Sequence, residues 1–77
     1  MEDRLLTDVA GIVEAVTGLE ASQVRPGHTF VDDLGVDSLA MLEVLEGVRL
    51  RLGRVVDDEA AAQLVHVGDL LDYLRRA

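Results

Sequence analysis

Apolar residues recur at the spacing of an amphipathic helix along most of this chain, and one long segment interrupts the pattern. The first run predicts a helix over about residues 3–17, ending at Thr17-Gly18 because glycine commonly follows a helix C-terminus. Glu2 and Asp3 stand at its start, where the positive end of a helix favours acidic residues. The apolar face of this helix consists of Leu5, Leu6, Val9, Ile12, Val13 and Val16.

Residues 18–36 show no sustained period and are predicted to form an irregular link. Pro26 is the only proline, and with Gly27 it is a turn signal. An irregular segment of this length is uncommon inside a compact domain and is often functional. Its spaced apolar side chains are expected to hold it against the core: Leu19, Val24, Phe30, Val31 and Leu34.

The second helix is predicted to begin at Asp37, a good N-cap residue, and to end at Gly53. One face forms a core stripe of Met41, Val44, Leu45, Val48 and Leu52. The opposite face should be wet, yet it mixes leucines with charged residues: Leu39, Leu42, Leu50, Glu43, Glu46 and Arg49. Single exposed leucines are ordinary, but leucines grouped with carboxylates on one helix favour an interaction surface.

The rest of the chain predicts a strand-like valine pair at 55–56 and then a short helix capped by Asp57 or Asp58, which would be marginal alone. A last helix is predicted over about 67–76, with an inward face of Val67, Leu70, Leu71 and Leu74. The predicted fold is all-α: a small four-helix bundle of three main helices and one short third helix, with a long first loop, in one domain over residues 1–77.

Composition changes this picture mainly by exclusion. The chain has fifteen acidic residues, seven arginines and no lysine, which gives a net charge of −8. Its surface should therefore repel nucleic acid and anionic membranes and attract basic protein patches. The same charge also serves simply to keep a small protein soluble. There is no cysteine, no apolar run of the roughly 20 residues that span a bilayer, and no signal peptide pattern. We therefore expect a cytoplasmic monomer. The small core that a chain of 77 residues can form weighs against a self-contained enzyme.

Ser38, at the start of the predicted second helix, is the main chemical candidate. It could be an ordinary N-cap, but Asp37 can fill that role and leave the hydroxyl exposed. A hydrolase nucleophile is disfavoured because there is no G-x-S-x-G turn and no evident base. A phosphate ester on Ser38 would suit a helix N-terminus, which favours anions. Physical chemistry alone does not separate such a covalent attachment from simple phosphorylation.

The other polar candidates are weaker. The acidic groups at 32–37 and 57–59 do not match the spacing of a calcium loop, and they are interpreted as caps and solvated charges rather than a metal site. The only histidines, His28 and His66, are interpreted as a loop residue and a helix cap.

The stretch "FVDDLGVDSLAMLE", residues 30–43, resembles the signature of the acyl carrier protein family, in which D-S-L carries the serine for 4′-phosphopantetheine. The similarity extends over nearly the whole chain, through the long loop, the valines and acids before the short helix, and the ending "VGDLLDYL". It implies a right-handed four-helix bundle in which Ser38 is esterified by a phosphopantetheinyl transferase using coenzyme A. The terminal thiol of that arm would carry the growing acyl chain as a thioester, and the chemistry would belong to a ketosynthase, an acyltransferase or other synthase enzymes.

The same resemblance assigns roles to residues. Asp37 and Leu39 would flank the attachment site. The partner-recognition surface would include Leu42, Glu43 and Glu46, with Arg49 on the same outward side of the helix. The core into which an acyl chain could enter would be Met41, Val44, Leu45, Val48, Leu64 and Leu71.

Departures from the family pattern suggest a specialised member. The end of helix two is often acidic in the family, whereas this chain has Arg49, Arg51 and Arg54, and we hypothesise that they discriminate among partners. The resemblance implies an acyl carrier protein of fatty-acid or polyketide synthesis. The arginines and the alanine- and arginine-rich, lysine-free composition favour a secondary-metabolite pathway, such as antibiotic biosynthesis. The start at Met1 and the stop just after the last helix lead us to expect a discrete protein. The alternatives are an aminoacyl or peptidyl carrier and a non-covalent helical adaptor.

Overall fold

The computed structural model describes residues 4–76, and within them it confirms the all-α prediction. Four α-helices follow one another along the chain: α1 Arg4–Thr17, α2 Ser38–Leu52, α3 Asp58–Ala61 and α4 Val67–Arg76. A single turn of 3₁₀-helix, Ala21–Gln23, interrupts the long loop between α1 and α2. The acidic residues at 2 and 3, which were expected to favour the start of the first helix, lie outside the described residues.

Glycines end the two longest helices where the pattern predicts. Gly18 follows α1 with φ of 82° and donates its N–H to the Glu14 carbonyl at 2.8 Å. Gly53 follows α2 with φ of 67° and donates to the Arg49 carbonyl at 3.0 Å. Both backbone conformations are left-handed, which strains a residue with a side chain. Glycine is therefore favoured at both positions, and each helix ends there.

The core is made by the faces that the periodicity predicts. The inward residues of α4 are all buried, and so are the central apolar residues of α1 and α2. Met41, Leu45 and Leu52, which were predicted in the core stripe of α2, are only half-buried. The buried helical residues are Val9, Ala10, Ile12, Val13, Val44, Val48, Val67, Leu70, Leu71 and Leu74.

The long loop is held by backbone hydrogen bonds to the segment that leads into α4. Phe30 donates to the Val65 carbonyl at 2.9 Å, Val67 donates to the His28 carbonyl at 2.9 Å, and Gly68 donates to the Pro26 carbonyl at 2.8 Å. We call this set of bonds between residues 26–30 and 65–68 the loop bridge. It includes an isolated antiparallel bridge between residues 29 and 66. The loop is therefore ordered by a short piece of sheet-like pairing that periodicity did not predict.

Two carboxylates support the loop bridge from either side. Asp33 accepts from the Thr29 N–H at 2.8 Å, and this bond holds the pKa of the Asp33 carboxyl below its ordinary value. Asp69 accepts from the N–H of His66 at 2.8 Å and from that of Val65 at 3.0 Å, which lowers the pKa of the Asp69 carboxyl. Both acids are thus favoured in their charged, hydrogen-bonded form.

Side-chain burial along the loop agrees with the prediction at most positions. Val24, Phe30 and Leu34 are buried, and Leu19 is half-buried against the core. Val31 was expected to contact the core but is 66% exposed, because the turn after Phe30 rotates it outward.

The valine pair at 55–56 is not a strand, so that expectation was wrong. Val55 is 71% exposed, and the segment is an irregular connection between α2 and α3. Its β-branched residues favoured a strand, but the segment has no paired neighbour in the described chain. Asp57 is the N-cap of α3, and its side chain accepts from the Ala60 N–H at 2.7 Å. The helix it starts is a single turn of four residues.

Candidate functional site

Ser38 is the first residue of α2, and it is exposed. The capping role belongs to Asp37, whose Oδ1 accepts from the Ala40 N–H at 2.8 Å. Within residues 4–76 the N–H groups of Ser38 and Leu39 have no acceptor, as expected at the start of a helix. A free hydroxyl therefore lies beside unpaired N–H donors and the positive end of the α2 dipole, which favours an attached phosphate.

The cap itself is testable. Replacing Asp37 with alanine removes the side-chain acceptor of the Ala40 N–H, so we expect the domain to lose about 1 kcal/mol of unfolding free energy. The equivalent change at Asp57, which caps the short α3, is the matched control. Urea denaturation followed by circular dichroism measures both. If neither variant lost measurable stability, the Asp37 side chain would not stabilise the start of α2.

A groove of about 300 Å³ opens directly next to Ser38, between α2 and α3. Of the predicted acyl-chain residues, Met41, Leu45 and Leu64 line this groove. The other three, Val44, Val48 and Leu71, do not line the groove and are buried in the core. The structure thus separates the predicted set into a surface layer beside the serine and an inner layer. Val31 and Val36 also line the groove, although the sequence analysis assigned neither of them to this site.

The outward face of α2 carries the predicted partner residues. Leu39 and Leu42 are exposed over about two thirds of their area, at 66% and 64%. Glu46 and Arg49 form the expected ion pair one turn apart, with Arg49 Nε donating to Glu46 Oε2 at 3.2 Å. This hydrogen bond lowers the pKa of the Glu46 carboxyl and raises that of the Arg49 guanidinium. Glu43 is exposed and has no cationic partner in the described part of the chain.

The three arginines near the end of α2 have different surroundings. Arg54 donates through Nη1 to the Leu74 carbonyl at 2.9 Å, which satisfies an acceptor in the last turn of α4. Arg51 reaches across to α1, where its Nη1 would lie 3.0 Å from a Cβ placed on Gly11. Arg49 is engaged by Glu46 but half exposed. The hypothesis that these arginines discriminate among partners therefore applies best to Arg49, because the Arg54 side chain is already hydrogen-bonded to α4.

The histidines belong to the loop bridge rather than to the serine. His28 Nδ1 accepts from the Arg25 N–H at 3.1 Å, and His66 Nδ1 lies 3.6 Å from Asp69 Oδ2. The structure shows no hydrogen bond between either histidine and Ser38. In residues 4–76 no group of three or more His, Asp or Glu side chains is arranged to hold a metal ion, and no helix there is both long and apolar enough to cross a membrane.

Comparison with known protein families assigns the class. The phosphopantetheine attachment site family matches residues 7–74, nearly the whole chain. The chain therefore belongs to this family, whose prosthetic group is 4′-phosphopantetheine, and the exposed start of α2 with its free N–H donors fits that group.

Individual relatives narrow the class to acyl carrier proteins. The meromycolate extension acyl carrier protein of Mycobacterium leprae (strain TN) is 37% identical over 75 residues, which is 97% of this chain and 65% of that protein. The protein of the same name from Mycolicibacterium smegmatis is 39% identical over 97% of this chain and 76% of its own length. The acyl carrier protein of Acidothermus cellulolyticus is 38% identical over 99% of this chain and 90% of its own length. The chain is a member of the acyl carrier protein family, a family of carriers rather than catalysts.

Proposed function

We propose that residues 1–77 form an acyl carrier domain in which Ser38 is the attachment point of 4′-phosphopantetheine. The observation that carries the assignment is the exposed hydroxyl at the first position of α2, which Asp37 leaves free by capping the helix. The Ser38 oxygen forms a phosphate ester as the pyrophosphate bond of coenzyme A breaks. Adenosine 3′,5′-bisphosphate leaves, and a base of the phosphopantetheinyl transferase takes the serine proton.

The cargo is an acyl chain held as a thioester. The bound arm supplies the thiol that the cysteine-free chain lacks. The similarity to acyl carrier proteins and meromycolate extension acyl carrier proteins favours a fatty-acyl cargo over the polyketide cargo that the composition favoured. It also favours an acyl carrier over an aminoacyl or peptidyl carrier. The alternative of a non-covalent adaptor explains neither the match to the phosphopantetheine attachment site family nor the free hydroxyl of Ser38.

The groove beside Ser38 is the proposed resting place of the acyl chain. Met41, Leu45 and Leu64 would contact the chain first, because they line the groove and are only half-buried. Val44, Val48 and Leu71 would contact it only if the groove deepened into the core, since they have almost no exposed area in this structure. The half-burial of the first three supports this order of contact.

Partner enzymes are proposed to dock on the outward face of α2. Leu39 and Leu42 offer apolar contact next to the serine, and Glu43, Glu46 and Arg49 supply charge. Glu43 is the carboxylate best suited to a basic residue of a transferase, ketosynthase or acyltransferase, because Glu46 is already paired within the helix. Exposed charges of this kind act mainly on association rate and on its salt dependence.

Replacing Glu43 with lysine is expected to slow modification of Ser38 several-fold at low ionic strength and much less at high ionic strength. The reason is that salt screens the attraction between an exposed carboxylate and a basic partner. The measurement is the initial rate of phosphopantetheinylation by a purified transferase over a series of salt concentrations.

Glu20→Lys is the matched control, because it makes the same change of net charge at an exposed position in the long loop, away from α2. If the two variants slowed equally, the effect would belong to net charge. If Glu43→Lys showed the same rate as the wild type at all salt concentrations, the acids of α2 would have no role in docking.

A further inference from the structure

A second groove lies between α1 and α2, on the side of α2 away from α3. Its volume is about 350 Å³, and its walls are mainly apolar. Ile12, Ala15 and Val16 supply the α1 wall, while Leu42 and Leu50 stand on the α2 side. It shares Leu42 with the proposed partner surface, so the two regions are continuous.

Gly47 is one of the residues that line this groove. A Cβ at position 47 would lie 2.6 Å from Cγ2 of Ile12, so the Ile12 side chain packs directly against the backbone of α2 at this position. Gly47 lies in the interior of α2, and a larger residue there would force Ile12 to move.

The attachment site does not explain why Leu50 is exposed. It is 68% exposed, and it lies twelve residues after Ser38 in the same helix, or about 18 Å away at 1.5 Å per residue. A partner that contacts only the serine and its neighbours does not reach it. Leu42 and Leu50 are about 12 Å apart by the same measure, which is close to the distance between two apolar residues seven positions apart in a partner helix.

The charges around the groove are distributed unevenly. Glu43 and Glu46 stand on its rim, and Glu43 has no cation of its own within residues 4–76. Arg51 lies at the opposite end, where it approaches Gly11 of α1. A partner segment with basic residues near Glu43 would therefore be complementary, and basic residues placed near Arg51 would be repelled.

We propose that the groove between α1 and α2 is a second docking site, occupied by an amphipathic helix of a partner enzyme that carries apolar residues next to basic ones. The proposal rests on the proposed function, because it extends the partner surface of α2. Leu50 and Ala15 contact the apolar face of that helix, and Glu43 contacts its basic residues.

The test uses a synthetic 18-residue helical peptide with leucines at positions i, i+4 and i+7 and lysines beside them, titrated into the isotopically labelled full chain. We expect saturable chemical-shift changes centred on residues 12–16 and 46–51. Leu50→Ser should weaken binding at least three-fold. Val55→Ser is the matched control, because it removes an equally exposed apolar side chain outside the groove, and it should leave binding unchanged.

A second peptide with serines in place of the leucines separates apolar docking from charge alone. Equal binding of both peptides, equal effects of Leu50→Ser and Val55→Ser, or no binding of the leucine peptide at millimolar concentration would each overturn the proposal. The assay is independent of Ser38 chemistry. Transfer of phosphopantetheine to wild-type chain, followed by intact mass, therefore reports separately on the proposed function.

Discussion

Replacing Ser38 with alanine is expected to abolish phosphopantetheinylation while leaving the domain folded. The hydroxyl is exposed at the start of α2 and caps nothing, because Asp37 accepts the Ala40 N–H. Alanine is also well tolerated in the first turn of a helix, so the change in unfolding free energy should stay within about 0.5 kcal/mol. Intact mass after incubation with coenzyme A and a promiscuous transferase, together with a thermal melt, measures both effects.

Ser22 provides the control for this experiment, because the chain contains only two serines. Ser22 is also exposed, but it lies in the 3₁₀ turn of the long loop. Ser22→Ala should be modified as completely as the wild type. A mass increase in Ser38→Ala, or none in the wild type, would contradict the assignment of Ser38.

Replacing Phe30 with alanine is expected to produce the largest loss of stability, about 3–5 kcal/mol. Phe30 is fully buried, it is the only phenylalanine, and its backbone donates to Val65 and accepts from Val36. A domain of this length has a total unfolding free energy of about 4–12 kcal/mol, so such a loss removes a substantial part of it. Urea denaturation at 25 °C measures the change.

Val31→Ala is the matched control, since it truncates the next residue of the same turn, which is 66% exposed. Its cost should remain near or below about 0.5 kcal/mol. Phe30→Leu, which keeps most of the buried volume, should fall between the two. If Phe30→Ala were no more destabilising than Val31→Ala, the loop would not depend on that side chain for its attachment to the core.

Helix positions and caps followed from the sequence because they depend on neighbouring residues. The stops at Gly18 and Gly53 and the cap at Asp37 require only local backbone conformation and hydrogen bonds. The inward face of α4 was also predicted, since its apolar residues repeat at helical spacing.

Features that depend on residues distant in the chain could not be predicted in the same way. The loop bridge pairs backbone groups of the long loop with the segment before α4, and backbone pairing leaves no periodic signal. The burial of Val36 depends on the turn that returns its N–H to the Phe30 carbonyl at 2.7 Å. The hydrogen bond from Arg54 to α4 likewise depends on how the helices are arranged. At the site, the sequence motif indicated Ser38, but only the structure separates groove-lining Met41 from buried Val44.

The loop bridge also has a consequence for how the domain opens and folds. Its hydrogen bonds close a long segment of chain, so they are entropically expensive and should form late, whereas α2 can form from local contacts. We therefore expect the bridge to open in the native state as a cooperative unit of lower stability while α2 stays helical. Such partial unfolding would expose Phe30 without disturbing the helix start at Ser38. The part of the molecule that presents the serine would then open and close independently of the part that closes the core.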